Sequence, residues 1–215
     1  MDILKCHKKH SSQHSSHPTK ITSHSPCTLE SLNKILTHIK PSYNAHIKNY
    51  FSERFCGDDY NEVFPNIYIG NYSIAKNKKE LCKLSVSYVL NCAEPSPVHQ
   101  YLGCVNTSQV FYDDVGITYM GLQIDDTWNF PLVNFLERGS KFIDSALQSK
   151  GKILVNCMMG MSRSTSIVLG YLMKYQGMTI DQALTAIRKK REVHPNIGFL
   201  QQLIAYDSEL RKRRK

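Results

Sequence analysis

No stretch of the chain approaches the ~20 consecutive apolar residues that a bilayer-crossing helix needs, so no membrane span is expected. Residues 1–20 contain no apolar segment of the kind that secretory signals carry, and Asp2 at the second position excludes N-myristoylation. Cysteine occurs seven times, at positions 6, 27, 56, 82, 92, 104 and 157, yet no two stand in a CxxC pair. That spacing argues against a disulfide framework and against a zinc site, and without an export signal the thiols are expected to stay reduced. Zinc-finger spacing, aromatic RNP-like runs and recognition-helix patterns are missing too, so the basic balance is not read as nucleic-acid binding.

The charge is nonetheless there: 27 Lys and Arg against 18 Asp and Glu, a formal net of +9. Much of it is local, in Arg188-Lys189-Lys190-Arg191 and in Arg211-Lys212-Arg213-Arg214-Lys215. With nucleic acid set aside, the partners left are an acidic membrane surface or a phosphorylated substrate. Residues 1–27 are rich in His, Ser and Lys and poor in large apolar residues, a composition that cannot build a core. They are read as a disordered tail, followed by one folded domain over 28–210 and a basic C-terminal tail over 211–215.

Within the domain, Thr28 caps an apolar stripe at 29, 32, 35, 36 and 39, which predicts a helix. Strands are expected at 67–70, 86–92, 117–124 and 153–155, with a further short one at Val110 to Tyr112. Helices are expected over 72–84, 132–148, 162–176, 179–191 and 197–212. Strands separated by helix-length segments predict a single α/β domain, its central and mainly parallel sheet flanked by helices on both faces. In such sheets sites form beyond the carboxyl ends of the strands, which directs attention to Asn91-Cys92, Asp125-Asp126 and Asn156-Cys157.

The stretch "NCMMGMSRS", residues 156–164, leaves a strand and enters a helix. A loop in that place can aim successive backbone N–H groups at one centre, and the helix N-terminus adds partial positive charge. Met158, Met159, Gly160, Met161 and Ser162 would line such a cradle, with Gly160 supplying a position free of a Cβ. Arg163, five residues beyond Cys157, can set its planar fork on two phosphate oxygens. The same features can lower a thiol from about 8.5 to roughly 3.5–7.5, giving a thiolate that attacks phosphorus in line. Ser164 can then donate a hydrogen bond to the sulfur and help it leave. The three methionines make the rim apolar and adaptable, and shallow enough for phosphotyrosine and for phosphoserine or phosphothreonine. The leaving alkoxide needs a proton, which either carboxyl of "GLQIDDTWNF", Asp125 or Asp126, can bring on a loop beyond its strand.

Taken in order, "YNEVFPNIYIGNYSIAK", "VSYVLNCAE", "FYDDVGITYMGLQIDDTWNF", "NCMMGMSRS" and "HPNIGFL" resemble the cysteine-dependent protein tyrosine phosphatases, and among them the small, atypical dual-specificity phosphatases. The likeness runs from Thr28 to Leu210. It implies Cys157 as nucleophile, Arg163 as phosphate clamp, Ser164 as thiolate stabiliser and, of the two carboxyls, Asp126 as general acid. It implies neither metal nor organic cofactor, and phosphorylated proteins, mitogen-activated protein kinases among them, as substrates. Arg191 matches a position that contacts a second phosphate in doubly phosphorylated peptides; a solvated helix face is the plain alternative. The chain departs from the family pattern at Asn156, where a histidine normally keeps the nucleophile acidic by orienting the loop. Two readings follow: a phosphatase slowed by Asn156, or a pseudophosphatase that binds phosphopeptides without turning them over. A rhodanese-like sulfur carrier would leave Asp126 without a job, and a non-enzymatic nuclear adaptor would rest on the basic tail alone. The expected location is the cytoplasm, with the nucleus as a second candidate. Cys92, at a neighbouring strand end, is a candidate to trap oxidised Cys157 as a disulfide.

Overall fold

The computed structural model describes residues 27–42, 58–96 and 103–214. The tail expected before Cys27 lies outside them. Helix α1 (Leu29–His38) begins at Thr28, whose side chain accepts from the Ser31 N–H while the Ser31 hydroxyl accepts from the Thr28 N–H. Leu32 and Leu36, one turn apart, are the residues it buries.

The sheet has five strands in the order β1-β2-β5-β3-β4. β1 (Tyr60–Phe64) runs antiparallel to β2 (Ile67–Gly70), while β2, β5 (Lys152–Asn156), β3 (Val86–Asn91) and β4 (Thr118–Gly121) are mutually parallel. Strands buried on both faces are expected to read as continuous apolar runs, and "ILV" at 153–155 and "IYI" at 67–69 do so. β5 enters last and lies between β2 and β3, so the chain leaves it flanked by two other strand ends. Asn91 and Asn156 stand in register at those ends.

The mainly parallel α/β architecture agrees with the sequence reading, with local differences. β1 was not foreseen: Pro65-Asn66 turns the chain back on itself, with Asn66 at φ +65° and its N–H held by Glu62. The helix expected over 72–84 is two, α2 (Tyr72–Lys76) and α3 (Lys78–Lys83), because Asn77 ends the first and its side chain caps the second. The strand expected at Val110 to Tyr112 is a one-turn helix, α4 (Gln109–Tyr112), capped by Ser108; Val110 points to solvent while Tyr112 is buried. β4 ends at Gly121, short of the expected 124; beyond it the Leu122 N–H still donates to Asn91 O at 2.8 Å and the Leu122 carbonyl accepts from the Glu94 N–H at 3.2 Å, just past the end of β3.

Helices α5 (Val133–Gln148), α6 (Arg163–Tyr175), α7 (Ile180–Arg188) and α8 (Ile197–Arg213) complete the domain. α6 is buried from Arg163 to Met173, as a helix enclosed by neighbours on every side must be. None of the described helices is long and apolar enough to cross a membrane. α8 continues past Leu210, where the domain was expected to end, so Arg211, Lys212 and Arg213 are helical, and Arg211 pairs with Asp207 at 2.7 Å. The other basic cluster also divides. Lys189 and Lys190 are exposed, whereas Arg188 is buried and donates to the carbonyls of Ile39 and Val193.

α5 and α6 approach closely where Gly139 meets Ile167: a Cβ at 139 would lie 2.6 Å from the Ile167 Cγ2. Gly139→Ala is therefore expected to destabilise. Overpacking costs about 1–3 kcal/mol and outweighs the ~1 kcal/mol that alanine gains over glycine in a helix. Urea unfolding should show a lower midpoint; a raised one would mean the helix pair yields freely.

Candidate active site

β5 delivers Cys157 to the sheet's carboxyl edge, and the chain then wraps through Met158-Met159-Gly160-Met161 into α6. Ser162 occupies the N-cap of α6 without making a side-chain cap bond, so its hydroxyl is available for other work. Each carbonyl from 158 to 161 is taken by a donor outside the loop. Tyr72 N–H donates to Met158 O at 3.1 Å and His194 N–H to Met161 O at 3.0 Å. Arg191 donates from Nη2 to Met159 O at 3.3 Å and from Nε to Gly160 O at 2.9 Å. Because a trans peptide sets its N–H opposite its C=O, carbonyls held outward turn the following amides inward.

The sulfur sits where those amides converge. Cys157 is only 1% exposed. The Gly160 N–H donates to Sγ at 3.2 Å, and the Ser164 hydroxyl lies 3.3 Å from it. Burial alone pushes this thiol up; the Arg163 guanidinium opposes it, joined by the Ser164 hydroxyl and the backbone N–H groups of Ser164 and Met161, and the balance lies below the ordinary thiol value. Gly160 adopts φ +66°, and a Cβ there would come within 2.6 Å of Gly70 O, so only glycine fits this turn.

Arg163 lies beside the sulfur, nearly buried. Nη1 donates to Ile124 O at 3.4 Å, while the buried Nε makes no hydrogen bond and stands 3.7 Å from Asp126 Oδ2. A buried guanidinium nitrogen with its proton unspent is set to meet an anion. Asp126, rather than Asp125, is the carboxyl that meets the loop: its Oδ1 accepts from the Ser162 hydroxyl at 2.6 Å and from Asn196 Nδ2 at 2.8 Å. The Asp126 loop is also pressed on the start of α8, where a Cβ at Gly198 would lie 1.6 Å from Trp128 O. Trp128 itself projects into solvent at the rim.

Cys157, Arg163, Ser164 and Asp126 are thus brought together, with Ser162 joining the loop to Asp126. Met158, Met159 and Met161 are half-buried, and Met158 also packs on the core, so the rim is less outward-facing than expected. Arg191 is a correction. Its side chain is buried, and besides the two loop carbonyls it donates from Nη1 to Asp58 O and Asn61 Oδ1, both within 2.9 Å. A solvated face does not describe it, because the side chain is buried and these donors are spent inside the protein.

Asn156 is fully buried and reaches away from the loop. Its Nδ2 donates to Asn91 Oδ1 at 3.2 Å, and its Oδ1 makes no hydrogen bond. Asn91 in turn donates to Val105 O at 2.7 Å and to the Thr107 and Tyr119 hydroxyls, each at 3.2 Å, which fixes the strand-end amides as one buried network. Cys92 lies beside Cys157, with its N–H on Asn156 O at 2.7 Å; both thiols are free. Burial, then the neighbouring Cys157, pushes the Cys92 thiol well up. Sequence reasoning gave Asn196 no role, and it marked Asn91 only as a strand end. The first could have been found as a capping residue before the apolar start of "IGFL", while nothing local shows that the Asn91 side chain holds the amide network.

The family profile described as dual specificity phosphatase, catalytic domain, matches residues 67–209. The chain is 37% identical over 152 residues to dual specificity protein phosphatase 26 of Mus musculus, covering 70% of this chain and 68% of that protein. Among solved structures it is similar to DUSP15, with a TM-score of 0.59 and 29% identity over 73% of this chain and 95% of that one. Human DUSP28 shares the fold, with a TM-score of 0.62 and 22% identity over 73% of this chain and 98% of that one. With the family profile matched over about two thirds of the chain and a curated relative at 37% identity, the chain belongs to the atypical dual-specificity phosphatases of the protein tyrosine phosphatase superfamily.

Proposed function

We propose that the protein hydrolyses phosphotyrosine and phosphoserine or phosphothreonine in proteins through a cysteinyl-phosphate on Cys157. The observation that carries this reading is a buried sulfur, lowered in pKa, next to the unspent Nε of Arg163. The thiolate attacks phosphorus as the ester P–O bond breaks on the opposite side. Arg163 and the inward amides of residues 159–162 hold the three remaining oxygens, whose charge spreads as the bond breaks. Asp126 gives its proton to the departing oxygen. Water then attacks the cysteinyl-phosphate, passing a proton back to Asp126, and the sulfur leaves as a thiolate with the Ser164 hydroxyl donating to it. The substrates in view are phosphorylated proteins; the family likeness is what points to mitogen-activated protein kinases. The proposed setting is the cytoplasm, and the basic run at the end of α8 is what brings in the nucleus as a second one.

Asn156 favours a slow enzyme, and supports the second reading of a phosphopeptide-binding pseudophosphatase. Its donor is spent on Asn91 and its acceptor on nothing, so it contributes no charge and no loop contact. Hydrolysis of an aryl phosphate from pH 5 to 8, beside iodoacetamide alkylation of Cys157, tests both readings. A thiol reacts as its thiolate, so the rate rises as pH climbs through the thiol pKa. Since that pKa is lowered, both alkylation and turnover should rise at lower pH than for free cysteine. Asn156→His should raise turnover and move the rising limb to still lower pH. A parent that binds phosphopeptide but hydrolyses no faster than background would be the pseudophosphatase.

A further inference from the structure

We propose that Arg191 is a positioning residue for the thiolate and the oxyanion cradle, acting through two consecutive peptide planes, and that the site reads a single phosphate. This rests on the phosphatase reading of Cys157 and deepens it. Arg191 follows two exposed lysines, yet it is 3% exposed. Its fork reaches Met159 O and Gly160 O on one side and Asp58 O and Asn61 Oδ1 on the other. The start of β1 therefore anchors the guanidinium, and the guanidinium anchors the loop.

The consequence is directional. In a trans peptide the C=O of one residue opposes the N–H of the next, so a grip on the carbonyls of 159 and 160 aims the N–H groups of 160 and 161 the other way. Those are two of the amides that serve the sulfur: Gly160 N–H donates to Sγ at 3.2 Å, and the Met161 N–H lowers the thiol. Released carbonyls would be free to rotate inward and present negative dipoles to a phosphate. The loop cannot hold itself here through a side chain. Gly160 has no side chain and holds φ +66°, with Gly70 O on one side and Arg191 Nη2, 2.8 Å from where a Cβ would stand, on the other. The planar fork matters here, since a lysine ammonium is a single point donor on a flexible stem and cannot hold two carbonyls in fixed directions.

Arg191→Ala and Arg191→Lys, each checked for folding by thermal melting, test the proposal with readouts that a general loss of stability does not move. The pH dependence of Cys157 alkylation should shift to higher pH in both, less in the lysine variant. The affinity for tungstate should fall, and kcat on aryl phosphate should drop on the order of tenfold or more, as for other small misplacements of catalytic groups. Monophosphorylated and doubly phosphorylated peptides should suffer equally. Full rescue by lysine would overturn the proposal in favour of charge alone. An unshifted alkylation profile, with loss confined to KM for doubly phosphorylated peptide, would overturn it in favour of a second phosphate contact. Should either variant fail to fold, Asn61→Ala removes an outer anchor of Arg191 while leaving every loop residue in place. It should shift the alkylation profile the same way, and no shift would sink the idea. Because alkylation and tungstate binding need no turnover, a parent without phosphatase activity would defeat the proposed function and still leave the Arg191 result to be read.

Discussion

Cys157→Ser is expected to abolish turnover while leaving the fold and the grip on phosphate in place. The substitution replaces one small buried group by another of the same shape. The donors around the sulfur, the Gly160 N–H and the Ser164 hydroxyl among them, can serve a hydroxyl equally well. What is lost is ionisation. The environment that brings a thiol below its ordinary value acts on a group already within reach of neutral pH; a serine hydroxyl lies far above that range and has no adjacent base. Loss of a nucleophile from an otherwise intact site costs on the order of 10⁴-fold or more in kcat. The free energy of phosphopeptide binding should change little, because Arg163 Nε and the loop amides are untouched. Single-turnover assays and calorimetric titration with a phosphopeptide separate the two. A variant retaining a tenth of the parent rate would place the nucleophile elsewhere.

The parts of the fold that the sequence revealed are those in which one short signal decides one element. Thr28 before an apolar stripe, the run "ILV" between charged and polar residues, and Cys157 five residues before Arg163 each carry their own physics. The failures occurred where a neighbour decides. Phe111 and Tyr112 have strand propensity, but the Ser108 cap and a buried place for Tyr112 make one helical turn there. Asn77 divides a helix whose apolar stripe reads straight through it, because its side chain competes with the backbone for the Glu80 N–H. In the site, Cys157, Arg163 and Ser164 were legible because loop and helix hold them within eight consecutive residues. From the residues alone Asp126 was one of two carboxyls and the family resemblance chose it; its contacts with Ser162 and Asn196 join residues far apart in the chain, which no local signal announces. For Arg191 the solvated-face alternative failed for the same reason: a basic run looks solvated in sequence, and only the path of the chain past 188 turns the fourth residue of the run inward while leaving the middle two in water.

Asp126→Asn is expected to divide substrates by leaving group. The amide oxygen can still accept from the Ser162 hydroxyl and from Asn196 Nδ2, so the loop should stay docked on α6 and α8. The variant then differs mainly in having no carboxyl proton to give. An alkoxide leaving from phosphoserine, or a phenolate from unsubstituted phenyl phosphate, needs that proton in the transition state, and general acid catalysis contributes roughly 10²–10⁴-fold. Nitrophenolate leaves as a stable anion and needs it far less. The loss in kcat should accordingly be on the order of 10²-fold or more on phenyl phosphate and phosphoserine peptide, and much smaller on p-nitrophenyl phosphate, with tungstate affinity held near the parent's. An equal loss on every substrate would mean that Asp126 orders the loop through Ser162 and Arg163 without delivering a proton, and the acid would then have to be sought at Asp125, one residue away on the same loop.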